Sequence, residues 1–394
     1  ESDSPRGRIV LMRSLARGTL SPTAPRLAYH LDRCLGCLAC EPACPSDVRY
    51  GAALEATRAA MARSRPVPLV ARLVNSVMAD RRLWRPLFAM ARLTRPATRA
   101  VSGQSRLAFA FGMLGATKNR RQWKHKRNKS HRGVSRSSVP SALTGSSATT
   151  VLLFTGCIMD GLFSHVHDAT ERTLAANGYR TVRIPRQRCC GALHAHTGDH
   201  DKAVELARAN ITAFADDCES VIAVNSAGCG AMLKEYGRLF AGDRLESEAI
   251  AFSGRVRDVS ELLGQREIQT AQSWTLRVAY DPPCHLLHAQ RIADAPRTLL
   301  ATIPGLEIVQ HDDAEMCCGS GGSYSLTEVQ LSRAVLDQKV SSLLAADPDV
   351  IATGNPGCIM QIGAGLAAAG SRIPVVHPIE LLDQSYAMSG FYDE

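Results

Sequence analysis

The residues of this chain best placed to do chemistry are cysteines. Cys34, Cys37, Cys40 and Cys44, followed by Pro45, stand at the spacing C-x2-C-x2-C-x3-C-P. In that run, known from bacterial ferredoxins, thiolates at the corners of a short loop bind a 4Fe-4S cube. Zinc sites favour two separated pairs, which this run is not. Further along, Cys157, the pair Cys189 and Cys190, and Cys229 recur as Cys284, the pair Cys317 and Cys318, and Cys358. Each set offers four soft sulfur donors, the type that selects iron-sulfur clusters, zinc or copper(I). Buried structural thiols explain one cysteine well, but not eight repeated in register. Gly191, Gly228, Gly319 and Gly357 adjoin these cysteines. They are expected to let backbone come close and to point N–H groups at the sulfurs, which raises a cluster's potential.

Other residues near the loops carry weaker signals. His165, His167, His194, His196, His285 and His288 read first as ordinary polar residues. The alternative is hydrogen bonding around a cluster or a proton relay, with His285 and His288 nearest to Cys284. Gly319-Ser-Gly-Gly322 lacks the Lys and Ser/Thr of a phosphate loop and reads as backbone wrapping a cluster. Cys218 has no counterpart in the second repeat and is expected in the core. Thirteen cysteines are an odd count, and their tight grouping suits metal ligation in a reducing, intracellular compartment.

The elements that must position these residues repeat. Val151-Leu-Leu-Phe-Thr-Gly-Cys157 is an apolar strand ending in a cysteine, and Arg277-Val-Ala-Tyr-Asp-Pro-Pro-Cys284 repeats it. Thr181-Val-Arg-Ile-Pro leads to Cys189, as Leu306-Glu-Ile-Val-Gln leads to Cys317. Ser220-Val-Ile-Ala-Val leads to Cys229, as Asp349-Val-Ile-Ala-Thr leads to Cys358. The cysteines recur 127 to 129 residues apart, which a tandem duplication explains. Arg257-Asp-Val-Ser-Glu-Leu-Leu263 and Val376-His-Pro-Ile-Glu-Leu-Leu382 close the two halves alike. Helical stretches, among them His165 to Asn177, Lys202 to Asp217 and Thr327 to Leu344, separate the strands. The alternation predicts two parallel sheets covered by helices. Loops beyond the carboxyl ends of parallel strands share one edge, so the cysteines of each half should converge there.

Composition sets the outer limits. The chain has 394 residues, 45% of them hydrophobic, enough for two or three domains. Residues 1–115 read as a 4Fe-4S and helical region, 116–149 as a linker, and 150–268 and 269–394 as the two cysteine-rich halves. Amphipathic helices are expected between Ala52 and Gly115, broken at Pro66, Pro68, Pro86 and Pro96. The net charge of +9 belongs to one segment, Lys118 to Arg136. Its nine basic residues include no acidic neighbour, and the remaining chain balances 37 basic against 37 acidic residues. With Trp123 as its one aromatic, this segment fits a mobile linker or an anionic docking point better than a nucleic-acid face. Leu107 to Ala116, the most apolar stretch, is too short to span a bilayer. The expectation is a cytoplasmic protein, with peripheral association at the inner face of the cell membrane as its variant.

Four stretches resemble a known family: Asp3-Ser-Pro-Arg-Gly-Arg-Ile9; Leu31 to Tyr50 around the first cysteine run; Ser226-Ala-Gly-Cys-Gly-Ala-Met-Leu-Lys-Glu-Tyr236; and Cys317-Cys-Gly-Ser-Gly-Gly-Ser-Tyr-Ser-Leu326. They are similar to the glycolate oxidase iron-sulfur subunits and, more broadly, to the CCG-type cysteine-rich domains found in heterodisulfide reductases. The resemblance implies part of an α-helical ferredoxin domain followed by two tandem α/β CCG domains. It implies a ferredoxin-type 4Fe-4S cluster, further iron-sulfur clusters in the CCG domains, and electron transfer from flavin-binding subunits, where the substrate is oxidised, toward a quinone or membrane acceptor. Related alternatives are the iron-sulfur subunit of a lactate or anaerobic glycerol-3-phosphate dehydrogenase, or a disulfide reductase. Ser226 and Asn355 replace the first cysteine of the Cys-x2-Cys that ends each heterodisulfide reductase domain, which counts against disulfide chemistry. Members of the family carry another ferredoxin run upstream of Pro5, so the N-terminus is expected to be truncated. In two-cluster ferredoxins the fourth cysteine serves the other cluster. Cys44 is then expected to be left without its cube, and the cube of Cys34, Cys37 and Cys40 without its fourth thiolate.

Overall fold

The computed structural model describes residues 1–95, 106–117, 148–265, 268–269 and 272–392. The basic segment from Lys118 to Arg136, and with it the expectation of a mobile linker, lies outside these residues, as does Pro96. The N-terminal region is helical: α1 (Pro5–Ala16), α2 (Pro25–Asp32), α3 (Tyr50–Ala62), α4 (Leu69–Ala79), α5 (Arg81–Thr94) and α6 (Arg106–Ala116). Pro25 opens α2 in the first turn, where a missing N–H costs nothing. The cysteine run occupies the loop between α2 and α3, over a small core of Met12, Leu27, Leu31, Tyr50, Leu54 and Met61.

Pro66 and Pro68 fall between α3 and α4, as expected, but Pro86 lies inside α5. The break is at Asp80 instead, whose side chain caps α5 by accepting from the Arg82 N–H at 2.8 Å. Pro86 removes one backbone bond, and burial of Trp84 and Phe88 on the inner face of α5 holds the helix together.

The repeated halves form two four-stranded sheets. In the first, β1 (Thr149–Phe154), β2 (Tyr179–Arg183), β3 (Val221–Val224) and β4 (Val256–Asp258) lie in the order β2-β1-β3-β4. In the second, β5 (Leu276–Tyr280), β6 (Leu306–Val309), β7 (Val350–Ala352) and β8 (Val375–Val376) lie in the order β6-β5-β7-β8. All pairs are parallel, and the topology is the same in both. The central strands are apolar on both faces, as parallel strands between helices must be; Val151, Leu153, Ile222, Val278, Val350 and Ile351 are fully buried. The closing Asp258 and His377 both cap the helix that follows with reciprocal bonds to a glutamate three residues on.

Candidate metal centres

Three strands of each sheet deliver the cysteines to one edge. Cys157 follows β1, Cys189 and Cys190 follow β2, and Cys229 follows β3. Cys284, Cys317 with Cys318, and Cys358 follow β5, β6 and β7 in the same way. In the first half the Cys157 Sγ lies 3.5 Å from the Cys189 Sγ. Cys189 accepts from both Cys157 and Cys190, which lowers its pKa well below the ordinary thiol value; the same bonds, then burial, raise Cys157 and Cys190. Cys229 completes the group by bonding to Cys190. In the second half the Cys318 and Cys358 Sγ atoms are 3.3 Å apart. Cys284 bonds to Cys317, and that bond, then burial, pushes its thiol well up. The two expected sets of four are therefore each brought together.

The sulfurs touch one another in pairs. Among the described residues no three His, Cys, Asp or Glu side chains close on a single metal ion. In the second half all four thiols are buried and raised, because the neighbouring sulfurs and burial leave each thiolate poorly solvated. This donor set suits the soft, positively charged core of an iron-sulfur cluster, which would hold all four as thiolates.

The adjacent pair owes its geometry to the following glycine. Gly191 has φ +91 and Gly319 φ +83, the left-handed region. A Cβ at Gly191 would approach the Ala203 carbonyl oxygen to 3.2 Å, and one at Gly319 would collide with the Ser332 carbonyl oxygen. The expected N–H donors are found at these two positions: Gly319 donates to the Cys317 Sγ at 3.4 Å and Gly191 to Cys189. Gly228 departs from the expectation, because its N–H donates to the Asn355 Oδ1 at 3.1 Å instead. Gly319 to Gly322 does more than cover its own cysteines. Gly321 faces the Leu35 carbonyl in the first cysteine run, and Gly322 faces Leu193. The Tyr324 hydroxyl donates to the Arg33 carbonyl at 3.0 Å.

Polar residues that pattern reading missed brace the two edges. Asn210 donates to the Cys189 carbonyl at 3.0 Å, and the Tyr236 hydroxyl donates to the Cys190 carbonyl at 2.8 Å. In the second half the counterpart is charged: Lys339, fully buried, pairs with Asp281 at 2.8 Å and donates to the carbonyls of Asp313 and Ala314, just before Cys317. The duplication offset placed Asn210 and Lys339 near one another in register, which was the available signal. The histidines divide. His167, pushed down to about 3 by burial, ties the Thr155 carbonyl to Asn225 and is structural. His194 links Asp199 to the Asn75 carbonyl in α4, and His165 pairs with Glu380. His285, also pushed down to about 3 by burial, places Nδ1 3.5 Å from the Cys284 Sγ. His288 is buried nearby. Cys218 is exposed, against expectation. It sits in a polar bend after the helix that ends at Ala213, beyond the reach of the core.

The N-terminal run joins the second set. Cys37 acts electrostatically on Cys317, and Cys284 acts on Cys37, whose thiol is raised first by its own burial. Cys40 is pushed up to about 11 by burial and by Cys37 and Cys34. Cys34 lies 3.5 Å from the Tyr50 hydroxyl, and half-buried Cys44 is not among the groups acting most on Cys37 or Cys40. Arg58 of α3 locks the run in place, donating to the carbonyls of Leu31, Cys34 and His196.

Comparison with known proteins matches the same three cysteine-bearing segments. Residues 151–234 and 278–363 match the cysteine-rich domain CCG, and residues 27–50 match the 4Fe-4S binding domain. The chain is 34% identical over 402 residues to the "Probable glycolate oxidase iron-sulfur subunit" of Bacillus subtilis (strain 168), covering 97% of this chain and 88% of that protein. It is 31% identical to the "Glycolate oxidase iron-sulfur subunit" of Escherichia coli (strain K12), covering 98% and 88%. A shorter relative, "Lactate utilization protein A" of Geobacillus kaustophilus (strain HTA426), is 31% identical over 59% of this chain and 98% of its own length. No helix among the described residues is long and apolar enough to cross a membrane. With one ferredoxin-type run, two CCG domains and identity along nearly its whole length, the chain is an iron-sulfur electron-transfer protein that belongs to the family of glycolate oxidase iron-sulfur subunits.

Proposed function

We propose that this chain relays electrons within a glycolate-oxidising complex, from flavin-binding subunits that carry out the substrate chemistry toward a quinone-type acceptor. Cys34, Cys37, Cys40 and Cys44 belong to the ferredoxin-type 4Fe-4S site, and Cys157, Cys189, Cys190 and Cys229, and Cys284, Cys317, Cys318 and Cys358, hold the further clusters. The observation that carries this reading is the contact between cysteine sets: the loop holding Cys37 lies against the loop from Cys317 to Gly322, within electrostatic reach of Cys284. Redox centres held side by side suit transfer of single electrons. The bound clusters supply the redox chemistry. The protein's own part is to exclude water from the sulfurs, donate N–H groups to them, and hold the loops with Asn210, Tyr236, Lys339 and Arg58.

The test is anaerobic mixing of the iron-loaded chain with glycolate, with and without its flavin-binding partner subunits. Bleaching of cluster absorbance that requires those subunits supports the relay. Bleaching by lactate but not glycolate would move the assignment to a lactate-oxidising complex, which the shorter relative's name makes the second reading.

A further inference from the structure

The outer face of the α4–α5 hairpin is apolar. Among the described residues twelve large hydrophobic side chains are exposed, and seven of them lie on these two helices, including Leu69, Leu73, Leu83, Leu87, Met90 and Leu93. The clustering matters because scattered exposed leucines need no explanation, whereas a contiguous apolar face marks an interaction surface. On α5, Leu83, Leu87 and Met90 follow one another at four and three residues and so form one stripe. The core does not need that stripe, since Trp84 and Phe88 form a separate, buried one.

The charges beside the stripe indicate what covers it. Arg72, Arg82, Arg85 and Arg92 are exposed and make no ion pair among the described residues. From Leu69 to Thr94 the one acidic residue is Asp80, which is engaged in capping α5. An apolar ridge fringed by arginines and free of carboxylates fits the headgroup boundary of an anionic bilayer, where leucines enter the acyl edge and guanidinium groups reach the phosphates. Position supports the same occupant. Val70, exposed on α4, lines a cavity of about 320 Å³ that it shares with Cys34 and Leu54, so docking by this face would bring the first cysteine run to the membrane surface.

We infer that the α4–α5 hairpin is the surface by which this chain docks on an anionic membrane. The inference deepens the relay reading above and rests on it for the purpose of docking, which is delivery of electrons to a membrane-held acceptor.

The test is co-sedimentation of the iron-loaded full chain with phosphatidylcholine vesicles, with and without added phosphatidylglycerol, at low and high salt. The expected result is binding that needs the anionic lipid, weakens with salt, and falls about tenfold or more in Leu83→Glu with Met90→Glu. Both side chains point away from the core, so circular dichroism and cluster absorbance should be unchanged. Dithionite bleaching of the same samples tests electron carrying separately, so failure to bind vesicles is not confused with failure of the relay reading. Absence of vesicle binding would overturn the proposal. So would binding that survives the double variant, which places the contact elsewhere, or a double variant that binds vesicles normally but loses the flavin subunits, which assigns the face to a protein partner.

Discussion

The Gly228 N–H in one cysteine loop donates to the Asn355 side chain in the other at 3.1 Å, so the two halves meet at their candidate metal centres. Asn355 then turns its amide nitrogen to the Cys358 Sγ at 3.5 Å. Asn355 thus becomes a hydrogen-bond bridge between one set and the next.

Removing that bridge should change the second centre selectively. Hydrogen bonds to cluster sulfurs raise the potential, so Asn355→Ala is expected to lower the midpoint by on the order of tens of mV, given that about 59 mV corresponds to a tenfold change for one electron. Redox titration followed by EPR measures it. An equal shift in every signal, or none, would contradict the assignment.

Lys339 and Asp281 form a fully buried ion pair behind Cys284 and Cys317. Lys339→Met should destabilise the protein by about 3–5 kcal/mol, because it leaves a buried carboxylate alone. Adding Asp281→Leu should recover much of the loss. Denaturant unfolding of both variants decides this; a single variant as stable as the parent would show that the pair is solvated.

Glu55 of α3 meets His196 at 3.5 Å and, in a shorter contact, Arg238, both from the first cysteine-rich half. Burial alone would raise its carboxyl, but His196 and Arg238 hold it down to about 2 against an ordinary 4.5. A depressed carboxylate contributes stability above its unfolded pKa and loses it as pH falls through the folded one. Glu55→Gln should therefore cost about 1 kcal/mol near neutral pH, and the gap to the parent should close between pH 4.5 and 2. Thermal midpoints across that range check the sign; a gap that widens on acidification would refute it.

Cys218 is exposed, while the other cysteines are buried or half-buried. Brief alkylation of the iron-loaded protein should add one label, mapped to Cys218 by peptide mass. Rapid labelling at Cys189 or Cys318 would mean that the sets are open thiols.

What the sequence revealed and what it hid follow from the range of the interactions. Thiolate spacing is local and repeats, so Cys34 to Cys44 and the two later sets could be read directly, and the strand before each cysteine fixed the shared sheet edge. Contacts between distant segments leave no such trace. Nothing near Gly321 in sequence announces that its loop abuts Leu35, and nothing near Arg58 announces the His196 carbonyl. Pro86 was misleading because proline's cost to a helix is fixed while the burial of Trp84 and Phe88 that offsets it is tertiary. Cys218 was misleading because a cysteine is usually buried, yet its bend projects beyond the core.

Three cysteine sets that hold iron-sulfur centres along one electron path should be distinguishable by substitution. Iron and acid-labile sulfide should be counted on anaerobically purified protein, with EPR of the reduced state, for the parent chain and for Cys37→Ser, Cys190→Ser and Cys318→Ser. Each substitution is expected to remove a different signal and its share of iron while the other signals persist. Full iron content and an unchanged spectrum in Cys190→Ser or Cys318→Ser would contradict it, because the CCG sets would then be packed thiols and not metal centres.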